Sequence, residues 1–277
     1  MPTTEANGQT LYYEVHGEGE PLLLVMGLAA DTMAWALQVP AFSARYKTVI
    51  FDNRDVGRSS MADGPYEITD MAADALALAD ALELESFHLV GVSMGGAIAQ
   101  EIALAAPERI RSLTLAVTFA AGGAWARKLS ETWSARVRQM SLEQRVDELM
   151  LLNLSEAFFE NAEGVAFLRD LMLQNPHPQS ADAFARQLDA SSRHNTRDRL
   201  SDLAMPIQVI GAEYDILVPF WKSRELSELI PDARLTVIDS SPHGANLERA
   251  EEFNRLVLEF VEDQSRESSA RASSTVS

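Results

Sequence analysis

The most informative stretch of the sequence is Phe87-His88-Leu89-Val90-Gly91-Val92-Ser93-Met94-Gly95-Gly96. Its first six residues form a short apolar run typical of a buried strand, and alanine-rich sequence of helical character continues from Met94 to Ala106. Ser93 therefore lies at a tight turn between a strand and a helix. Such a turn strains the backbone of the serine and raises its hydroxyl above the sheet, while the flanking glycines let strand and helix approach. We predict that Ser93 is a nucleophile.

The rest of the sequence repeats the alternation of strand and helix. Leu22–Met26 is apolar at every position, which is typical of a central strand that helices cover on both faces. Thr69–Leu82 repeats alanine and leucine at helical spacing, and a last helix is predicted from Glu251 to about Val261. The alternation predicts an α/β protein with a mostly parallel central sheet flanked by helices. The predicted strands are Leu11–Val15, Leu22–Met26, Thr48–Phe51, Phe87–Val92, Ser112–Val117, Ile207–Ile210 and Leu235–Ile238.

One interval interrupts this alternation, because no strand-like run lies between Val117 and Ile207. It is far longer than a single crossover helix requires. We predict that residues 120–200, called the cap segment below, form a helical lid inserted over the carboxyl edge of the sheet. Its predicted helices include Leu142–Leu154, which begins with a capping box at Ser141 and Gln144, Val165–Gln174 and Ala181–Ala190.

The remaining residues divide into a core and a tail. Residues 1–119 and 201–263 are predicted to form the α/β core. Residues 264–277 consist mainly of serine, arginine and alanine with little apolar sequence, so we expect a disordered tail there.

Two further residues complete a pattern with Ser93. Asp215 closely follows the strand Ile207–Ile210, and His243 stands between the last predicted strand and the last helix. In this order of serine, acid and histidine the sequence resembles the α/β-hydrolase family, from Leu11 to Val261. The resemblance implies an α/β-hydrolase fold and a catalytic triad in which the histidine takes the proton of the serine and the carboxylate fixes the histidine tautomer.

Other residues could supply the acid or the base. Glu213 is a neighbouring carboxylate, and some family members place the acid after the preceding core strand, where this chain reads Thr118–Gly122 without a carboxylate. Asp215 is therefore favoured. Of the other histidines, His16, His88 and His177 are predicted to be structural or solvated, and His194, where the cap segment rejoins the core, is expected at a solvated position.

The resemblance also implies an oxyanion hole. Its two backbone N–H donors would be those of Leu28 and Met94, and Gly27 would let the loop pass close to the substrate. Most relatives have His-Gly where this chain has Met26-Gly27, which keeps the backbone donors but removes a polar group that braces the loop. Gly27, Leu28, Met94 and Trp125 are the predicted substrate contacts.

A second motif follows the strand at Thr48–Phe51. Residues 52–59 resemble the family's Asp-x-Arg-x-x-Gly-x-Ser loop, and we predict that Asp52 and Arg54 brace it through an ion pair and hydrogen bonds. Together with the Met-Gly pair, this loop resembles the aclacinomycin methylesterase branch, which implies bulky polycyclic or polyketide-like esters.

Composition limits the partners. The chain has 277 residues with 23 basic and 41 acidic side chains, hence a net charge of −18. Strong acidity without a basic cluster argues against nucleic-acid binding. No apolar run is long enough for a membrane span, and the N-terminus lacks the pattern of a signal peptide, so we expect a cytoplasmic protein without membrane contact. The oligomeric state is left open, and a homodimer is compatible with the sequence.

Other chemistries find little support. The chain contains no cysteine, which excludes disulfides, thiolate metal sites and cysteine nucleophiles. No group of histidines or carboxylates has the spacing of metal ligands, and no glycine-rich phosphate loop is present. We therefore expect neither a metal nor a cofactor.

The sequence thus predicts a serine esterase or lactonase acting on a small, uncharged, hydrophobic substrate. Two alternatives within enzymes are a carbon–carbon bond hydrolase and an enol-lactonase similar to those of the oxoadipate pathway. The latter bind an anion, which a protein of charge −18 disfavours unless arginines of the cap segment compensate. An alternative of another class is a ligand-binding protein that resembles a hormone receptor on a hydrolase fold. The arginines in question are Arg136, Arg138 and Arg186.

Overall fold

The computed structural model describes the backbone of residues 2–274 and the side chains of residues 2–266. Its strands are β1 (Thr3–Ala6), β2 (Gln9–His16), β3 (Pro21–Val25), β4 (Lys47–Phe51), β5 (Phe87–Val92), β6 (Ile110–Ala116), β7 (Ile207–Ala212) and β8 (Arg234–Ile238). They form one sheet in the order β1-β2-β4-β3-β5-β6-β7-β8. The pairs β1–β2 and β2–β4 are antiparallel and the other neighbours are parallel. The predicted mostly parallel α/β class is confirmed.

The helices lie on both faces of this sheet and in one long insertion. They are α1 (Val39–Phe42), α2 (Ile68–Ala81), α3 (Met94–Ala105), α4 (Gly123–Val137), α5 (Leu142–Asn153), α6 (Glu156–Phe159), α7 (Ala162–Leu173), α8 (Ala181–Arg193), α9 (Trp221–Leu229), α10 (Ala245–Glu248) and α11 (Ala250–Ser274). Short 3-10 helices occur at Thr32–Trp35, Pro107–Arg109 and Leu200–Asp202. No helix of the described residues is long and apolar enough to cross a bilayer.

Strand β3 explains why the central strands are apolar at every position. Leu23 and Val25 pack into the cluster that contains the buried side chains of α2 and α3. Leu22 and Leu24 point to the opposite face, where they join the cluster that contains Phe42 of α1 and Phe253 of α11. Because successive side chains of a strand alternate between faces, a strand covered on both sides buries every position, which favours apolar residues throughout.

The parallel strands bring four separate segments to one place. The loops that follow β3, β5, β7 and β8 all leave the sheet at its carboxyl edge, where ligands of open α/β sheets bind. These loops carry Gly27, Ser93, Asp215 and His243 respectively. The topology alone therefore assembles residues that are up to 216 positions apart in the sequence (243 − 27).

Helices α4 to α8 occupy the predicted cap segment between β6 and β7. The expected capping box of α5 is present, since Ser141 accepts from the Gln144 N–H and Gln144 accepts from the Ser141 N–H. Helix α4 was not among the predicted helices. Its signal is the four-residue spacing of Trp125, Leu129, Trp133 and Val137, which the polar residues between them obscure.

The two ends of the chain differ from prediction. Strand β1 was not predicted because it is short and largely polar, although the Asn7-Gly8 pair, both residues with positive φ, is a strong hairpin signal. At the other end α11 continues to Ser274 instead of ending near Val261. The disordered tail expected from residue 264 stays a prediction. Ser265 donates to Glu20 at 2.5 Å and so ties this turn of the helix to the core. Residues 275–277 of the predicted tail lie outside the described residues.

Candidate active site

Ser93 occupies the turn between β5 and α3. Its φ of 57° and ψ of −123° place a non-glycine residue in a sparsely populated backbone region. The backbone is held there because the Ser93 N–H donates to the Ala116 carbonyl at 2.9 Å and the Thr118 hydroxyl donates to the Ser93 carbonyl at 2.6 Å. A side chain at Gly95 would overlap the Val25 carbonyl, so glycine is required where the helix meets the sheet.

Gly27 lies directly against the candidate nucleophile. A Cβ atom at this position would stand 2.9 Å from Ser93 Cβ and 3.4 Å from Ser93 Oγ. Gly27 is not among the residues that line the adjacent cavity. Gly27 therefore leaves room for the serine, and its contact with substrate stays a prediction.

The three predicted triad residues are brought together. His243 Nε2 lies 2.9 Å from Ser93 Oγ, and His243 Nδ1 lies 2.7 Å from Asp215 Oδ2. Asp215 and His243 are both about 5% exposed or less, while Ser93 is half-buried and open to the cavity. With Nδ1–H donating to the carboxylate, Nε2 is the nitrogen that can accept the serine proton.

Backbone contacts fix both partners of the serine. Oδ1 of Asp215 accepts hydrogen bonds from the N–H groups of Leu217 at 2.9 Å and Val218 at 2.7 Å, which leaves Oδ2 for the imidazole. Beside His243, the Gly244 N–H donates to the carbonyl of Asn153, the last residue of α5, at 2.7 Å. The cap segment thus contacts the histidine loop directly.

Leu28 and Met94, the predicted oxyanion donors, line the same cavity as Ser93. Within the described residues, neither N–H donates a hydrogen bond to the protein. The N–H of Met94 is also among the first of α3, which have no partner inside the helix and carry its positive dipole end. Both groups are available to an incoming negative oxygen.

The loop that carries Leu28 is braced from two sides. The Asn53 amide donates to the Met26 carbonyl at 3.0 Å. On the other side, Gln187 of α8, which is fully buried, accepts from the Ala29 N–H at 3.0 Å and donates to the Arg54 carbonyl at 2.9 Å. Ala29 has a φ of 63°, so this contact holds a strained residue next to Leu28. Sequence reasoning missed Gln187, because its partner lies 158 positions away.

A cavity of about 350 Å³ opens above Ser93 between the core and the cap segment. Its walls are mostly apolar, and this size falls in the range of sites for small organic ligands. Trp125, a predicted substrate contact, lines it and is 65% exposed, while Trp133 of the same helix lines it from a buried position. Phe158, Phe159 and Phe167 of the cap segment do not line this cavity.

Lys222 is the one charged side chain among the described residues that line the cavity. Its Nζ donates to the Ala121 carbonyl at 2.7 Å and lies 4.6 Å from the centroid of the Trp221 ring. Burial lowers the pKa of Lys222; the charge of Glu225 opposes this shift and that of Arg197 adds to it. Sequence reasoning missed this residue, because a lysine in the first turn of an amphipathic helix gives no sign of facing a cavity.

The three arginines of the cap segment that were considered as compensating cations are all paired with acids. Arg186 contacts the buried carboxylate of Asp55 with two hydrogen bonds of 2.8 and 2.7 Å. Arg136 pairs with Glu148 and Arg138 with Asp182. None of them lines the cavity.

The loop after β4 is braced, but not by the predicted ion pair. Asp52 accepts from the backbone N–H groups of Thr32 at 2.7 Å and Arg58 at 2.8 Å. Arg54 instead pairs with Asp74 of α2 through two hydrogen bonds of 2.6 Å. The side chains of Asp52 and Arg54 have different neighbours. Their two-residue spacing in the sequence therefore could not identify Asp74 as the partner of Arg54.

His194 is buried, not solvated as predicted. It is 5% exposed and packs edge-on against Phe119, with Glu101 at 3.6 Å and Arg199 paired to that acid. Burial, aided by the charge of Arg199, lowers the pKa of His194 to about 3. The imidazole is therefore neutral at physiological pH, and it does not reach the cavity.

Comparison with known proteins identifies the family. A model of the α/β-hydrolase fold matches residues 20–250. The chain belongs to the α/β-hydrolase family. Among its relatives, the protein of Azorhizobium caulinodans named "Putative carbamate hydrolase RutD" is 33% identical over 261 residues, which cover 94% of this chain and 98% of that protein.

Solved structures of other α/β-hydrolases are closely similar. The enol-lactonase from Burkholderia xenovorans has a TM-score of 0.86 at 27% identity, with 94% of this chain and 100% of that chain covered. A thermophilic esterase from Thermogutta terrifontis has a TM-score of 0.83 at 26% identity, with 95% and 97% covered. Family membership and these relatives indicate a hydrolytic enzyme.

Among the described residues no group of three or more histidines and carboxylates could hold a metal ion.

Proposed function

We propose that this α/β-hydrolase is a serine esterase or lactonase that acts through an acyl-enzyme on Ser93. The observation that carries the proposal is the unbroken hydrogen-bonded chain from Asp215 through His243 to Ser93, with distances of 2.7 and 2.9 Å. A merely structural cluster would not need the strained backbone at Ser93, which exposes the hydroxyl to the cavity at an energetic cost of about 1–3 kcal/mol.

The first half of the reaction forms the acyl-enzyme. His243 Nε2 takes the proton from Ser93 Oγ as this oxygen attacks the carbonyl carbon of the substrate. The N–H groups of Leu28 and Met94 stabilise the negative oxygen of the tetrahedral intermediate. The imidazolium, stabilised by Asp215, then gives its proton to the leaving alkoxide, and the carbon–oxygen bond breaks.

The second half releases the acid. A water molecule loses its proton to His243 Nε2 and attacks the acyl carbon, and the same two N–H groups stabilise the second tetrahedral intermediate. Collapse of that intermediate returns the proton to Ser93 Oγ and leaves a carboxylic acid. No step requires a metal or a cofactor.

The cavity supports a largely hydrophobic substrate. Leu28, Leu129, Trp133 and Leu188 contribute apolar walls near Ser93. The names of the relatives fit the same chemistry, since an ester, an enol-lactone and a carbamate all present an acyl carbonyl with a heteroatom leaving group. An enol-lactonase activity is the second candidate, which the similarity to the Burkholderia xenovorans enzyme favours.

Replacement of the nucleophile tests the proposal. We expect Ser93→Ala to lower kcat/KM for aryl esters by at least about 10⁴-fold, while circular dichroism and thermal unfolding stay close to those of the wild type. Ser227, a partly exposed serine of α9, gives a matched control in Ser227→Ala. Near-normal hydrolysis by the Ser93 variant would contradict the proposal.

The same experiment separates the enzyme from a ligand-binding protein on this fold. A fluorophosphonate should label Ser93 in either case, because both would retain the activated serine. The proposal requires in addition that at least one member of a panel of esters, lactones and carbamates is turned over repeatedly. Labelling of Ser93 with negligible turnover across the panel would favour the receptor-like alternative.

A further inference from the structure

The wall of the cavity contains a cation that the proposed mechanism does not use. Lys222 is half-buried, and the other described side chains that line the cavity are apolar or neutral. A charged group on such a wall loses hydration, which costs free energy unless a partner compensates. The proposed chain of Asp215, His243 and Ser93 does not involve it.

The protein supplies little compensation for this charge. No carboxylate of the described residues lies within ion-pair distance of Lys222. Glu225 is the acid whose charge raises the pKa of Lys222, and its carboxylate is already paired with Arg197 at 2.8 Å. Of the three N–H donors of the ammonium, one is used by the Ala121 carbonyl at 2.7 Å. The rings of Trp221 and Phe119, with centroids 4.6 and 6.0 Å from Nζ, provide weaker contacts. Donor capacity therefore remains.

These contacts also restrict the position of the ammonium. The carbonyl and the ring hold Nζ at the cavity wall, so a ligand would not have to immobilise a free lysine side chain on binding. Ser191, near the C-terminal end of α8, lines the same cavity, and its hydroxyl makes no hydrogen bond to the described residues. A cation and a free hydroxyl thus share a mostly apolar cavity.

We propose that Lys222 and Ser191 form a subsite for a carboxylate group of the substrate, separate from the scissile carbonyl. The substrate class becomes an ester or lactone with an apolar body and one free carboxylate, which revises the uncharged substrate expected from the sequence. This inference rests on the proposed hydrolase function. The ammonium of Lys222 offsets locally the repulsion that a net charge of −18 exerts on an anion. Salt screens an ion pair on such a desolvated wall less than it screens a pair on the protein surface.

Two esters of equal chain length test the subsite. Mono-p-nitrophenyl adipate carries a free carboxylate, and its methyl ester is the neutral counterpart; both release p-nitrophenol. The measured quantity is the ratio of kcat/KM for the anionic ester to kcat/KM for the neutral one. We expect Lys222→Met to lower this ratio at least about tenfold, Ser191→Ala to lower it less, and Lys222→Arg to retain most of it.

The matched control is Lys128→Met. Lys128 lies on α4 of the cap segment, is 77% exposed and pairs with Glu131, so its loss changes the net charge equally without touching the cavity. The ratio should stay at the wild-type value in this variant. An equal fall in both Lys variants, or a ratio that Lys222→Met leaves unchanged, would overturn the subsite.

Binding to the Ser93→Ala variant separates failure of the subsite from failure of the proposed function. Calorimetry should show that this variant binds monomethyl adipate at least about tenfold more tightly than dimethyl adipate, and that the additional change Lys222→Met removes the difference. Hydrolysis of the neutral ester that depends on Ser93, without any effect of Lys222 on the anionic probe, would reject the subsite alone. Preferential binding without turnover of either ester would reject the proposed esterase function and retain the subsite.

Discussion

At the scale of single residues, Asp215 and Glu213 show how position decides chemical role. The two carboxylates are two residues apart on one loop. Asp215 is buried. One of its carboxylate oxygens accepts hydrogen bonds from two backbone N–H groups, and the other contacts the imidazole of His243. Glu213 is exposed and accepts only from the Ser240 N–H at 2.8 Å. The proposed orienting role therefore falls on Asp215.

Amide substitutions at these two positions test that assignment. Asp215→Asn should lower kcat by about 10³- to 10⁴-fold, because an amide cannot stabilise the imidazolium and favours the wrong tautomer of His243. Glu213→Gln is the matched control and should keep kcat close to that of the wild type. Steady-state kinetics on an aryl ester measures both. A comparable loss in the two variants, or none in Asp215→Asn, would remove Asp215 from the triad.

At the scale of secondary-structure elements, the cap segment does more than cover the cavity. Gln187 of α8 holds the strained Ala29 beside the proposed oxyanion donor Leu28, and Asn153 of α5 receives the N–H beside His243. Two cap helices thus fix loops that belong to the core. The position of the cap should therefore affect the rate of the chemical step as well as substrate binding.

Removal of the Gln187 amide tests this coupling. Gln187→Leu leaves the partly buried Ala29 N–H without its acceptor and lets the oxyanion loop shift. We expect kcat to fall about 10- to 100-fold with a smaller change in KM, since the loop acts on the transition state more than on substrate binding. Gln139→Leu, at an exposed position on the cap, is the control. A change confined to KM would contradict a positioning role.

The elements also show where sequence reasoning succeeded and failed. The proximity of Ser93, Asp215 and His243 was predictable because each follows a recognisable strand, and parallel strands bring their carboxyl ends to one edge. Gln187 and Lys222 were not predictable. Their roles depend on how α8 and α9 are rotated and packed, which the helical pattern of one sequence does not specify beyond an apolar face.

At the scale of the whole molecule, burial of His194 links stability to pH. This histidine lies where the chain returns from the cap segment to the core, against Phe119. Its pKa is lowered from an ordinary value of 6.5 to about 3, so it stays neutral in the folded protein while it becomes protonated in the unfolded chain. The contribution of His194 to the free energy of unfolding is therefore fully present above about pH 6.5 and is lost as the pH falls toward 3.

Substitution of His194 measures this contribution. Between pH 7 and pH 5 the lowered pKa should remove about 2 kcal/mol from the free energy of unfolding. Urea unfolding of the wild type and of His194→Gln at both pH values isolates this effect from other carboxylates and histidines. The variant should lose about 2 kcal/mol less than the wild type over this interval. Equal losses would show that His194 is not held neutral.

The central claim, an acyl-enzyme on Ser93, is tested most directly by mass spectrometry of the protein quenched in acid during turnover of p-nitrophenyl butyrate. The account predicts one butyryl group on the peptide that contains Ser93, and no such adduct in Ser93→Ala. Rapid hydrolysis of the ester by the wild type, with the butyryl group found on another residue or hydrolysis retained in Ser93→Ala, would contradict it.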